Sequence, residues 1–402
     1  MMSMFKTAKQ GIRRGAPVAG AALLASALFA APSSAADTVK IGFAIAKTGF
    51  LGVATPVAEH AYILWRDQVN AKGGLDIGGK ERRKIEFIEY DDQSDPTKTP
   101  QIYEKLISED KVDLLIAPYG TPWHIALGPV VERHKFPITG AAAGSTLLRD
   151  LHAKYIFFTE PDISDAIARD LDGILKQEGF KSVAMLSLQL PLSLETKKYV
   201  TPLLQKDNIS ILVNDEYPTD LKDMTGMLSA VKTAKPDAVL GLAYPEDAIL
   251  YVNTAREIGI DAKFQFLLIG PSGDYFIKKF PKDSEGLITI GHWAPNQAKW
   301  PKAKAFYDAY LAKWGEPPDY LDSVSSYMSV EVLEQAVAKV GLDHEKLRAE
   351  LASDTFDTIN GPVKYENAVN ATVPSGLLQI QNGKLELIWP PSIATSKFKP
   401  KG

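Results

Sequence analysis

The 402-residue sequence contains no cysteine. That excludes disulfides, iron–sulfur clusters, a cysteine nucleophile, Cys-ligated zinc and a lipoprotein anchor. It does not fix the redox compartment, because a chain without thiols is stable in either. Positive charge is not in excess: 45 Lys and Arg stand against 49 Asp and Glu, a formal charge of −4. Nothing in that balance attracts nucleic acid. Histidine is scarce, with residues at 60, 124, 134, 152, 292 and 344. None forms a His-Glu-x-x-His pair, so a zinc hydrolase of that type lacks its ligands. No strand-to-helix turn carries Gly-x-Gly-x-x-Gly, and Gly270-Pro271-Ser272-Gly273 has the wrong spacing for a nucleophile elbow. Gly74 to Lys80 imitates a phosphate loop, but Glu81 stands where a Ser or Thr must hold magnesium. Asp91 to Asp95 resembles the start of a calcium loop, yet Pro96 follows and the sixth-position glycine is missing. The expectation is a binding protein without cofactor or metal, not an enzyme.

What is present divides the chain in two. Residues 1–36 hold Lys6, Lys9, Arg13 and Arg14 and no acid, then an apolar Ala/Leu run, then Pro32-Ser33-Ser34-Ala35-Ala36. A basic start, a short apolar stretch and a small-residue end are the parts of a secretory signal peptide, with cleavage expected after Ala36. Pro17 and Gly20 break the run, which is too short for a stable membrane span. Without this segment the charge is −8 over 366 residues. No later segment reaches the roughly 18 apolar residues of a membrane helix. The sequence therefore reads as an exported protein whose mature chain does not insert in the membrane. Hydrophobic content of 45% and charged content of 23% suit a globular chain of two to three domains at about 150 residues each.

The remainder alternates strands and helices. Val39–Ile45 reads as a strand, and Ala58, Ala61, Tyr62, Trp65 and Val69 then recur at helical spacing until Gly73-Gly74. Strands are expected at Ile85–Tyr90, Val112–Ala117 and Phe136–Thr139. After about residue 160 the pattern restarts, with strands at Ser182–Leu188, Ile209–Val213, Ala238–Ala243 and Phe264–Ile269. Fully apolar strands separated by helices imply parallel sheets buried on both faces. Helices at 302–314 and 323–340 precede short strands, and Asn382-Gly383 marks a hairpin turn. The fold class is α/β, with two Rossmann-like lobes and a strand-rich closing segment.

Four stretches give the sequence a family likeness. They are Val39 to Gly49; Asn70 to Gly74 with Gly78-Gly79-Lys80 and Ile85 to Asp91; Tyr90 to Pro96 with Lys98; and Ala243 to Glu246 with Ala255 to Gly259. In that order and spacing they resemble the leucine/isoleucine/valine-binding type of periplasmic solute-binding proteins of ABC transporters. The resemblance implies a three-crossing hinge, with lobe one at 37–157 plus 290–378 and lobe two at 158–289 plus 379–402. It also implies a small-molecule carboxylate ligand in the cleft, a membrane permease as partner, no nucleic acid, and a monomer.

The site residues follow from the resemblance and from the chemistry of the loops. Thr121, after the third strand, aligns with a hydroxyl that donates to a ligand carboxylate. Ala142 and Gly144, with Ser145 beyond them, align with backbone donors to the same group; small residues and a helix start suit an anion. Tyr244 matches a ligand-contacting tyrosine. Phe50, Tyr119 and Trp123 suggest an aromatic wall. Gln189 lies in a loop that lacks the usual tyrosine. Ser272 stands where amino-acid binders carry an acid for the ligand ammonium, and Asp274 is the candidate substitute. An unpaired buried ammonium is costly. The expected ligand is therefore an apolar or aromatic carboxylate, with a branched-chain amino acid held by Asp274 as the competing case. Two other functions compete: a ligand-sensing module, which needs an effector or membrane helix that this sequence does not show, and an exported hydrolase, which needs a nucleophile–base pair.

Overall fold

The computed structural model describes residues 38–401; the expected signal segment and its cleavage point lie outside them. Two sheets organise the chain. In the eight-stranded sheet, Ile156–Phe158, Ile138–Gly140, Leu114–Ile116, Val39–Ile45 and Ile85–Asp91 lie side by side and parallel. Three short strands, Thr355–Thr358, Gly361–Glu366 and Val369–Asn370, extend the Ile156–Phe158 edge. In the seven-stranded sheet, Leu287–Ile290, Phe264–Leu267, Ala238–Leu242, Ser182–Leu188 and Ser210–Tyr217 are parallel. The antiparallel hairpin Leu377–Gln381 and Lys384–Trp389 closes one edge. Its turn uses Asn382 and Gly383 at φ 54° and 69°, the left-handed pair that a tight hairpin requires.

The molecule is thus two α/β lobes with parallel-dominated sheets flanked by helices. The chain passes between the sheets three times: after Phe158, after Ile290 and after Asn370. Phe158 ends a strand of the first sheet, and Ile290, Leu377 and Leu378 sit in the second.

Helix Pro56–Ala71 shows how pattern becomes packing. Its buried residues are Ala58, Ala61, Tyr62, Leu64, Trp65 and Val69, one helical stripe. The stripe packs on helix Asp322–Val340, where the Trp65 indole donates to Glu334 Oε2 at 2.7 Å. Asp95 accepts from the Thr97 N–H at 2.9 Å and starts a short 3-10 turn, Pro96–Lys98, before helix Thr99–Ser108. Strands Ile156–Phe158 and Leu287–Ile290, of three and four residues, are not among those expected from the sequence. Among the described residues no helix is long and apolar enough to cross a membrane.

Candidate functional site

A narrow cavity lies between the lobes, with about 20 Å³ open to the centre of a water-sized sphere, space for about one water. It lies beyond the carboxyl ends of the parallel strands, where open α/β sheets hold ligands.

The first lobe supplies a wall from Tyr119, Gly120, Thr121 and Ala142 to Gly144, in which the Tyr119 hydroxyl and the Gly120 N–H already donate within the protein. Strand Leu114–Ile116 runs out into Gly120 at φ 95°, and helix Thr121–His134 begins at once. The first-turn N–H groups of such a helix have no helical acceptor, and its positive end favours an anion. The Thr121 side chain is buried and its Oγ1 has no partner in the protein. Leaving a buried hydroxyl unpaired costs about 1–3 kcal/mol, so a ligand acceptor there is favoured. The Gly120 N–H donates to the Ala142 carbonyl at 3.0 Å, which fastens the two loops together. Ala142 sits at φ 53°, an uncommon conformation for a residue with a Cβ. Gly144 has no room for a side chain: a Cβ would stand 2.4 Å from the Asp162 carbonyl oxygen.

The second lobe adds a mostly apolar face from Leu192, Tyr244 and Ile269. Between the lobes the floor is acidic. Glu160 and Asp162 come from the first crossing, and Asp322 opens helix Asp322–Val340. Asp319 lies just behind: its Oδ1 accepts the N–H groups of Leu321 and Asp322 at 2.8 and 2.7 Å, and its Oδ2 accepts from Ser272 at 2.9 Å. Asp322 Oδ2 accepts the Tyr119 hydroxyl at 2.7 Å. His292, from the second crossing, places Nδ1 2.9 Å from Asp162 Oδ2. Loss of hydration shifts every one of these groups. Burial pushes Glu160 up to about 7 and Asp162 to about 8, against partial relief from His292 and the Gly376 N–H respectively. It raises Asp319 and raises Asp322 far more, helped by the neighbouring carboxylates, while His292 is pushed down. Among the described residues, His292 is the one basic side chain within ion-pair distance of Glu160 and Asp162.

Of the residues singled out in the sequence, the cavity gathers Tyr119, Thr121, Ala142, Gly144 and Tyr244. The others lie elsewhere. Trp123 is buried beneath Gly120, with its ring 6.3 Å from Phe50, so this aromatic pair supports the donor wall from behind. Ser145 donates to Glu195 Oε1 at 2.7 Å; the same carboxylate takes the Thr146 N–H and hydroxyl and the Ser164 hydroxyl, tying helix Pro191–Lys206 to the first lobe. Gln189 is exposed, and Leu192 takes the place beside the cavity. Ser272 is buried against Asp319. Asp274 starts helix Asp274–Lys279 and pairs with Lys278 at 2.5 Å, lining a separate outer depression with Lys304 and Tyr307. It points away from the cleft because its own helix turns it outward.

The acids were not found from the sequence, although one signal was available. Every residue from Asp322 to Val330 is buried, and an acid heading so apolar and serine-rich a helix has to be buried with it.

A family model described as "Periplasmic binding protein" matches residues 38–384. The chain belongs to that family. Its curated relatives include Leu/Ile/Val-binding protein homolog 7 of Brucella melitensis, 22% identical over 400 residues, 94% of this chain and 98% of the relative. Solved periplasmic binding proteins share the fold. The substrate-binding protein LivJ of Streptococcus pneumoniae, in complex with isoleucine, superposes at a TM-score of 0.79 with 21% identity over 88% of this chain and all of LivJ. A solute-binding protein of an R. palustris ABC transporter, in complex with benzoate, gives 0.76 with 20% identity over 90% and 97%.

Proposed function

We propose that this periplasmic binding protein is the extracytoplasmic receptor of an ABC importer, without catalytic activity, and that it captures a small amino-acid-like zwitterion. The observation that carries the ligand class is the polarity of the cavity. One wall ends in a free hydroxyl and a helix N-terminus at Thr121; the floor holds the carboxylate of Asp322. A carboxylate suits the first and an ammonium the second. The role expected of an acid at Ser272 passes to Asp322, with Asp319 holding both Ser272 and the start of Asp322's helix. Leu192, Ile269, Ile290 and Leu321 line the cavity with apolar surface that suits a small apolar side chain once the lobes part to admit it.

A second reading rests on the tyrosines. Tyr119 and Tyr244 both line the cavity, and flat rings suit an aromatic acid such as the benzoate seen in one structural neighbour. We further propose that the two lobes close on the ligand about the three crossings, that the loaded monomer docks on a membrane permease, and that export depends on residues 1–36. The lobe limits 37–157 plus 290–378 and 158–289 plus 379–402 belong to the same proposal.

A thermal-shift panel of leucine, isoleucine, valine, benzoate and 3,4-dihydroxybenzoate tests the ligand class. Ligand binding raises the melting temperature by mass action. Stabilisation by branched-chain amino acids supports the zwitterion; stabilisation by the aromatic acids alone replaces it with the second reading.

A further inference from the structure

The first two crossings meet at a cluster that the solute reading does not use in full. Glu160, Asp162 and His292 each offer a ligand atom, and these atoms lie within 4.8 Å of one another. The His292 Nδ1 faces both carboxylates, 2.9 Å from Asp162 Oδ2 and 3.6 Å from Glu160 Oε1. Donor atoms bound to one ion at about 2.0–2.2 Å stand about 3.0–3.5 Å apart, and the two His292 distances lie close to that range. A second observation points the same way. Glu160 Oε2 is buried with no hydrogen-bond partner in the protein, in a side chain almost wholly sealed from solvent. An unpaired polar atom at such depth calls for a bound group.

The surroundings fit a cation. Asp162 Oδ1 accepts the Gly376 N–H at 3.0 Å, and Glu160 Oε1 accepts the Asp162 N–H at 3.0 Å. Such outer hydrogen bonds fix ligating carboxylates in place. Asp319 and Asp322 add negative charge nearby, without a Lys or Arg bridging to Glu160 or Asp162 among the described residues.

We propose that Glu160, Asp162 and His292 bind one divalent transition-metal ion of the zinc class where the first two crossings meet beneath the ligand cavity. One imidazole and two carboxylates suit Zn²⁺ or Co²⁺; calcium, which takes six to eight oxygens, is excluded by the histidine. Binding would displace any proton on Nδ1, and Glu160 and Asp162 also line the cavity above. The ion would join the first crossing to the second, and through Asp162 and Gly376 to the third.

The proposal does not depend on which solute is bound, and its test contains no solute. Full chain free of any histidine tag is stripped with chelator and titrated with Zn²⁺ and Co²⁺ by calorimetry and visible absorption. One equivalent is expected, with at least a tenfold loss of affinity in both His292→Ala and Glu160→Gln, each first shown by circular dichroism to be folded. Wild-type crystals grown with Zn²⁺ are expected to show an anomalous peak between the three side chains, which decides the matter if either variant fails to fold. Absence of the stoichiometric equivalent, a peak elsewhere, or unchanged affinity in both folded variants overturns the proposal.

Discussion

The donor wall of the first lobe and the acidic floor between the lobes face the same cavity but are built by opposite means. The wall is made from small residues, strained backbone and a helix start; its polar groups are neutral and held by local geometry. The floor is made from ionisable side chains that arrive from three distant segments, around residues 160, 292 and 320. A wall of this kind costs little to bury. A floor of this kind is costly unless protons, a cation or the ligand neutralise it. On the proposed reading, the partly satisfied floor sets specificity and the wall catches an anion.

The largest expected effect tests what holds the wall up. Trp123 lies beneath Gly120 and against Phe50. Trp123→Ala is expected to destabilise the fold by about 3–5 kcal/mol, the cost of a large core cavity. Chemical denaturation measures it. A variant of unchanged stability but lost affinity would return Trp123 to the ligand surface.

Next is the floor. If Asp322 faces a ligand ammonium, Asp322→Asn is expected to weaken binding of the amino acid selected by the thermal-shift panel by about 2–5 kcal/mol, much of it from leaving the ammonium buried and unpaired. Calorimetry reads this directly. An affinity within threefold of the parent places the ligand ammonium away from Asp322.

These contrasts also explain what could be read in the sequence. The wall was legible because its chemistry is local: Thr121 follows a strand, Ala142 and Gly144 follow another, and loops after strands are where such sheets bind. The long strands and the stripe Ala58–Val69 were legible because burial imposes a period. The floor was not, because nothing local relates Asp162 to His292, 130 residues apart, or Ser272 to Asp319, 47 apart. Asp274 misled for a related reason. Its distance from Ser272 along the chain is two residues, but the turn into helix Asp274–Lys279 carries it to the outside.

A smaller effect bears on the wall itself. Thr121→Val removes the free hydroxyl with little change in shape. Binding is expected to fall by about 1.5–3 kcal/mol if the lost hydrogen bond goes to a charged carboxylate, while stability holds or rises, since an unpaired buried hydroxyl disappears. Denaturation and calorimetry on one preparation separate the two quantities. A fall in stability with unchanged affinity would mean that Thr121 serves the fold and not the ligand.

The smallest effect asks whether the first lobe, away from the cleft, contains the same kind of costly acid as the floor. Asp92 is fully buried and its Oδ1 accepts the Ser94 N–H at 2.9 Å; Ser94 and the nearby Trp123 indole only partly offset the cost of burying it. Burial pushes its carboxyl up to about 6, whereas an unfolded chain ionises near the ordinary value of about 3.9. Between roughly pH 4 and 6 the folded protein keeps a proton that the unfolded chain has released, so this residue lowers stability as pH rises through that window and leaves it lowered above. Asp92→Asn cannot ionise and keeps an acceptor for Ser94. It is expected to match the parent near pH 3.5 and to exceed it by about 1–3 kcal/mol at pH 7.5, as measured by urea unfolding at the two pH values. If the difference is the same at both, Asp92 is ionised in the folded lobe, and costly buried acids are then a property of the cleft floor alone.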